Sequence, residues 1–206
     1  MFKFTTVRII RAAVIAAIYF CATFFIAPLS YGPLQIRFAE ALTILPALFP
    51  EAVIGVTVGC LLANSLNPAG FLWIDAVFGT LATFAAAVCT FYIGKLFGLG
   101  YGKSNNDAKP DKAADISIDE NSVSKNKKGG VFLAALPPVL INALVIPFII
   151  FAYIYDDMAN INIFASNNVI LYLLGFTSVL TGQAIAVYGI GVPLYYGLKA
   201  SARLMR

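Results

Sequence analysis

The chain has 206 residues, with 14 Lys and Arg against 10 Asp and Glu, and it is 60% hydrophobic but only 12% charged. Soluble domains average about 45–50% apolar and about 25% charged residues, so this composition excludes a water-facing globule and points to lipid as the solvent. The chain has no histidine and only three cysteines, Cys21, Cys60 and Cys89, each alone in an apolar run. Histidine-based acid–base chemistry and most zinc sites and haem ligands are thereby removed, and no metal or cofactor is expected.

Hydropathy predicts helices over about 7–27, 36–48, 51–66, 72–97, 131–155 and 166–198, each placed against the roughly 20 residues needed to cross a hydrocarbon core. Lys3, Arg8 and Arg11 precede the apolar run 12–27. Pro28 and Tyr31 stand where a leader peptide would need small residues for cleavage, so the run reads as a retained first helix. Pro46 and Pro50 interrupt the next apolar stretch. A proline lacks the amide hydrogen and pushes its predecessor out of helical geometry, so the stretch reads as two short helices joined by a tight turn, with Glu51 as a cap facing the helix dipole.

The segment 98–130 is rich in Lys, Asp, Asn, Ser and Gly. Such composition cannot bury enough surface to offset chain entropy, and it reads as a disordered linker inside a single transmembrane domain spanning 1–206. Its opening run, Gly98 to Ser104, looks like a phosphate-binding loop. Phe97 stands where the first motif glycine belongs, however, and no strand precedes it.

Cytoplasmic loops collect Lys and Arg. Six crossings place the N-terminal basic cluster, the linker lysines (Lys103, Lys109, Lys112, Lys125, Lys127, Lys128) and the tail (Lys199, Arg203, Arg206) on one side, with Asp156 and Asp157 on the other. Five crossings would scatter them. The expectation is an all-α integral membrane protein, a bundle of six transmembrane helices with both termini cytoplasmic.

Charges at membrane depth are costly and mark cavities or pairs. Arg37 lies three residues before Glu40, a spacing that suits a local ion pair, while Asp75 opens a helix where a cap is the plain account. With the amides Gln35, Asn64, Asn142 and Gln183, these residues also compose a pocket for a planar polar heterocycle. A carboxylate accepts from a ring N–H and an exocyclic amine together, and an amide both donates and accepts. Trp73, Tyr31, Phe38 or Phe78 would stack on the ring face. In the first helix Ala12, Ala13, Ala16 and Ala17 repeat at four-residue spacing, as do Gly55, Gly59 and Ala63 later; small residues so spaced let helices approach closely in lipid. They serve either packing within the bundle or docking of a membrane partner.

The run YGPLQIRFAEALTILPALFPEAVIGVTVGCLLANSL at 31–66, with FGTLAT at 78–83, LPPVLINAL at 136–144 and GQAIAVYGIGVPL at 182–194, resembles the queuosine-precursor transporter family of the QueT type. The resemblance covers nearly all of the chain outside the linker, which departs from the family pattern. It implies the substrate-binding S component of an energy-coupling-factor (ECF) transporter in the bacterial cytoplasmic membrane. Such a subunit takes up a 7-deazaguanine base, queuine or an aminomethyl or cyano relative, together with a transmembrane coupling subunit and two ATPase subunits. It also implies that the alanines of the first helix dock on the coupling subunit. It implies no nucleic-acid partner and no enzyme activity of the chain itself. A solitary proton-coupled carrier, or an S component for another heterocycle or vitamin, is the competing reading. An intramembrane enzyme is disfavoured because no nucleophile–base pair or metal-ligand spacing is present.

Overall fold

The computed structural model describes residues 5–30, 37–67, 75–100, 127–156 and 166–204, and all regular structure among them is helical. The order is α1 (Thr6–Phe24), a one-turn α2 (Ala27–Ser30), a 3-10 helix (Phe38–Ala47), α3 (Ala52–Ser65), a π turn (Asp75–Gly79) that runs into α4 (Thr80–Leu96), α5 (Lys127–Ala134), α6 (Leu136–Asp156), α7 (Ser166–Ala184), a second π segment (Ile185–Gly191) and α8 (Val192–Leu204). α5 starts inside the stretch read as linker, and 101–126 lie outside the described residues.

Among the described residues, four stretches are long and apolar enough to cross a membrane: Thr6–Phe24, Asp75–Leu96, Gly129–Phe148 and Tyr172–Ser201. Phe38–Ala47 and Ala52–Ser65 are apolar but shorter. The chain is a multi-pass membrane protein, and its surface is the reverse of a soluble one. Ile10, Val14, Ile18, Leu81, Phe84 and Phe148 are exposed, whereas Arg37, Glu40, Asn64, Asn142 and Gln183 are buried. In water so much exposed apolar surface would drive association; in lipid it is the solvated face.

The 3-10 helix is the axis of the molecule. Eight of its ten residues are buried, and it packs against α1, α3, α4, the second π segment and α8. A 3-10 helix rises about 2.0 Å per residue against about 1.5 Å in an α-helix, so ten residues reach about 20 Å rather than 15 Å. Its unusual length is held by close backbone contact. A Cβ on Gly191 would lie 2.7 Å from the Ala41 carbonyl oxygen, and one on Gly94 2.7 Å from the Ala47 Cα, so only glycine lets those neighbours come so near.

α1 packs along α3 in the same manner, with Gly55 against Ile15 and the Ala12 carbonyl, and Gly59 against Tyr19 and the Ala16 carbonyl. In lipid such helix pairs are held by van der Waals contact rather than by exclusion of water. At the opposite end of the 3-10 helix from Glu40, Leu99 is buried, and its carbonyl accepts from the Tyr195 hydroxyl at 2.9 Å. This bond ties the exit of α4 to α8.

Candidate functional site

Glu40 enters the core on the first turn of the 3-10 helix, 1% exposed. That turn is fixed locally: the Glu40 amide donates to the Arg37 carbonyl at 3.0 Å, and the Thr43 hydroxyl donates to the Glu40 carbonyl at 2.6 Å. The carboxylate is gripped from two sides by neutral groups. The Tyr19 hydroxyl of α1 donates to Oε1 at 2.6 Å, and Asn142 Nδ2 of α6 donates to Oε2 at 3.2 Å.

Arg37 lies just before the 3-10 helix with φ −92° and ψ 97°. This extended geometry turns its side chain away from the helical i, i+3 direction. Its ion pair is therefore with Asp75 of the first π turn, Nη2 to Oδ2 at 3.4 Å, and its Nε donates to the Ser30 carbonyl at 3.4 Å. The expected local pair with Glu40 is replaced by this long-range one.

The carboxylate of Asp75, read from sequence as a cap, pairs with Arg37, and its backbone carbonyl accepts from Asn64 Nδ2 at 3.2 Å. Asn64 lies 3.5 Å from Cys60 Sγ, which is 3.3 Å from the Thr83 hydroxyl. Gly79 sits against both the Asp75 carboxylate and the Asn64 amide. One polar cluster thus joins Glu40, Arg37, Asp75, Asn64 and Asn142.

Gln183 is buried one turn beyond Val179, which packs with Ala143 and Ile146 of α6. No hydrogen bond between described residues links it to Glu40. Gln35, Trp73 and Tyr31 lie outside the described residues. Phe38 is half-buried, and Phe78 is exposed on the bundle's outer face.

Three amide oxygens in this region have no hydrogen-bond partner among the described residues: Asn64 Oδ1, Asn142 Oδ1 and Gln183 Oε1. Chemistry fixes two of these orientations. The atoms facing the Asn142 and Asn64 amides are a carboxylate and a carbonyl oxygen, which only accept, so the NH₂ ends must face them and the oxygens must turn away. Buried acceptors without partners are rare in native proteins. Two buried hydroxyls nearby, Ser30 Oγ and Thr80 Oγ1, also lack a partner among the described residues, so unused acceptors and donors lie in the same region.

A family model described as "QueT transporter" matches residues 9–200. The chain belongs to the QueT transporter family. A curated relative, "Queuosine precursor transporter QueT" of Lactococcus lactis subsp. cremoris (strain MG1363), is 35% identical over 85 residues, which cover 40% of this chain and 48% of that protein. The matched stretch thus spans about half the length of the relative. No solved structure matches the chain.

Within this QueT family member the alanines of α1 divide. Ala16 is buried and Ala12 half-buried, both with carbonyls against α3, whereas Ala13 and Ala17 are exposed. Glu51 precedes α3 but makes no capping hydrogen bond; its carboxylate pairs with Arg11 at 3.3 Å, and Arg11 also lies over the Phe49 ring.

Tyr19, the hydrogen-bond partner of Glu40, was missed by local reading. It is the one tyrosine of α1, wholly buried, and a buried tyrosine hydroxyl usually finds a partner. That was the available signal; the partner itself, 21 positions away, was not visible.

The Arg37–Asp75 pair is a stability element. Asp75→Asn leaves a buried guanidinium short of its carboxylate, and breaking a buried pair costs about 3–5 kcal/mol. Because the Asp75 side chain is 17% exposed, about half of that is expected, lowering the melting midpoint of the purified protein by about 5 °C. An unchanged midpoint would show that the pair contributes nothing.

Proposed function

We propose that this chain is the substrate-binding membrane subunit of an importer for a queuosine precursor, a 7-deazaguanine base, energised by a partner ATPase module. The observation that carries this reading is the set of buried amide oxygens left without donors beside a carboxylate held by neutral groups. A 7-deazaguanine offers a ring N–H, an exocyclic amine and a pyrrole N–H, and lacks the imidazole acceptor of guanine. Its three N–H groups suit those open amide oxygens. Glu40 reads the amine-bearing edge, Asn64, Asn142 and Gln183 accept around it, and Asp75 and Arg37 close the rim, with Gln35 and Trp73 as further contacts. The relative named for queuosine-precursor transport supports the same substrate class. The chain itself is not an enzyme in this reading, and it resides in the cell membrane.

Six crossings with both termini cytoplasmic remain the topology proposed, the two shorter apolar helices completing the set. The partners are an ECF coupling subunit and two ATPase subunits. α1 is the least buried of the four long spans, and its exposed Ala13 and Ala17 leave a smooth strip on which another membrane helix can pack closely.

Uptake of radiolabelled 7-aminomethyl-7-deazaguanine by cells producing this chain is expected only when the coupling and ATPase subunits are also present. Uptake without them that collapses with the proton gradient would favour the solitary carrier instead. For topology, Ser117→Cys in a chain whose native cysteines are replaced by alanine should resist a membrane-impermeant maleimide in intact cells. Labelling there would invert the orientation.

A further inference from the structure

We propose that Tyr19 is a positioning residue for the substrate: its hydroxyl fixes the Glu40 carboxylate in the attitude that meets the ligand. The inference rests on the reading that Glu40 contacts the base.

The geometry is specific to that task. A hydroxyl-to-carboxylate distance of 2.6 Å lies in the short, charge-assisted range of about 2.5–2.7 Å. The phenol holds Oε1 while Asn142 holds Oε2 from another helix, so the carboxylate plane is set by donors on both sides. Each carboxylate oxygen has a further lone-pair direction open. Both donors are neutral, so they orient the group without cancelling its charge.

Tyr19 is itself immobilised. Its Cβ faces Gly59 so closely that a methyl there would lie 2.7 Å away, and its carbonyl accepts from the Thr23 hydroxyl at 3.0 Å. A ring held at its root and buried on all sides cannot swing aside. The carboxylate is therefore oriented before the ligand arrives, and preorganisation of this kind raises affinity by lowering the ordering cost of binding.

Tyr19→Phe keeps the ring and removes only the donor. The purified full chain in nanodiscs is expected to bind 7-aminomethyl-7-deazaguanine about tenfold more weakly with this change, as for the loss of one hydrogen bond to a charged group. In a Glu40→Gln background the same substitution should cost less than about threefold, because its effect acts through the carboxylate. Equal losses in both backgrounds would assign Tyr19 a purely structural part and overturn the inference while leaving the importer reading intact. Wild-type affinity in Glu40→Gln would remove Glu40 from the site and the Tyr19 role with it. A wild-type chain that binds neither the aminomethyl nor the cyano base would refute the importer reading as well.

Should Tyr19→Phe fail to fold, 3-fluorotyrosine at position 19 of the otherwise wild-type chain supplies the second measurement. Its fluorine resonance is expected to shift on adding the base. A resonance that stays still in a protein that binds the base overturns the proposal.

Discussion

Glu40→Gln is expected to weaken binding of 7-aminomethyl-7-deazaguanine by about a hundredfold while leaving the protein as stable as the wild type, or more stable. The two halves of this expectation have opposite signs for one reason. A buried carboxylate costs several kcal/mol of lost hydration, and its hydrogen-bond partners among the described residues are two neutral groups. Glutamine has the same shape and avoids the cost. Its oxygen can accept from Asn142 Nδ2, and its NH₂ can donate to the Tyr19 hydroxyl, which rotates to accept. The fold therefore loses little.

The ligand loses a charged acceptor at the centre of the site, and truncating one side of a buried charged contact costs about 2–5 kcal/mol, on the order of 30-fold or more. Calorimetric titration and a thermal melt on the same preparation separate these outcomes. Weakened binding with a sharply lowered midpoint would make Glu40 a structural residue, and unchanged binding would remove it from the site. A residue whose removal helps the fold and harms the ligand is kept for function.

What could be read from the chain beforehand follows the range of the interactions involved. All-helical structure and membrane-length apolar spans were legible because they depend on composition and on runs of about 20 residues, both local properties. The burial of Glu40, Asn64 and Asn142 as polar groups was legible from a single fact, their place inside membrane-length apolar runs. Their partners were not. Arg37 and Glu40 look paired at three-residue spacing only if both lie in one helix, and the extended backbone at Arg37 places it outside the 3-10 helix. Its carboxylate partner is 38 positions away.

Glu51 likewise read as a cap from its neighbours but pairs with Arg11, 40 positions back. Tyr19 read as one more large residue in an apolar helix, since nothing within a turn of it is charged. The 3-10 geometry of Phe38–Ala47 and the π segments Asp75–Gly79 and Ile185–Gly191 were illegible for a related reason. They answer to close packing against other helices rather than to intrinsic propensity, and π turns of this kind are frequent at functional sites. Here one of them carries Asp75 and the other follows Gln183.

Gly59→Ala is expected to produce the largest loss of stability from any single methyl group in the α1–α3 seam, and to weaken ligand binding with it. A Cβ at Gly59 would stand 2.7 Å from the Tyr19 Cβ and 2.8 Å from the Ala16 carbonyl oxygen. Neither atom is the free end of a flexible side chain, so the helices themselves must part. Overpacking of this sort costs about 1–3 kcal/mol, and in lipid no gain from excluding water offsets the van der Waals contact given up along the seam.

The melting midpoint should fall by about 3–10 °C. Gly197→Ala provides the comparison: a Cβ in α8 at that position meets nothing within 4 Å, and alanine is the better helix former by about 1 kcal/mol, so the midpoint should hold or rise. The same chemical change then has opposite effects at two helical glycines.

Moving α1 away from α3 also draws the Tyr19 hydroxyl out of its 2.6 Å bond to Glu40, so affinity for the base should fall together with stability. In this respect Gly59→Ala differs from Glu40→Gln, in which the two separate. A Gly59→Ala protein that melts and binds like the wild type would mean that α1 and α3 are not packed backbone to backbone, and the fixed Tyr19 on which the proposed site depends would go with them.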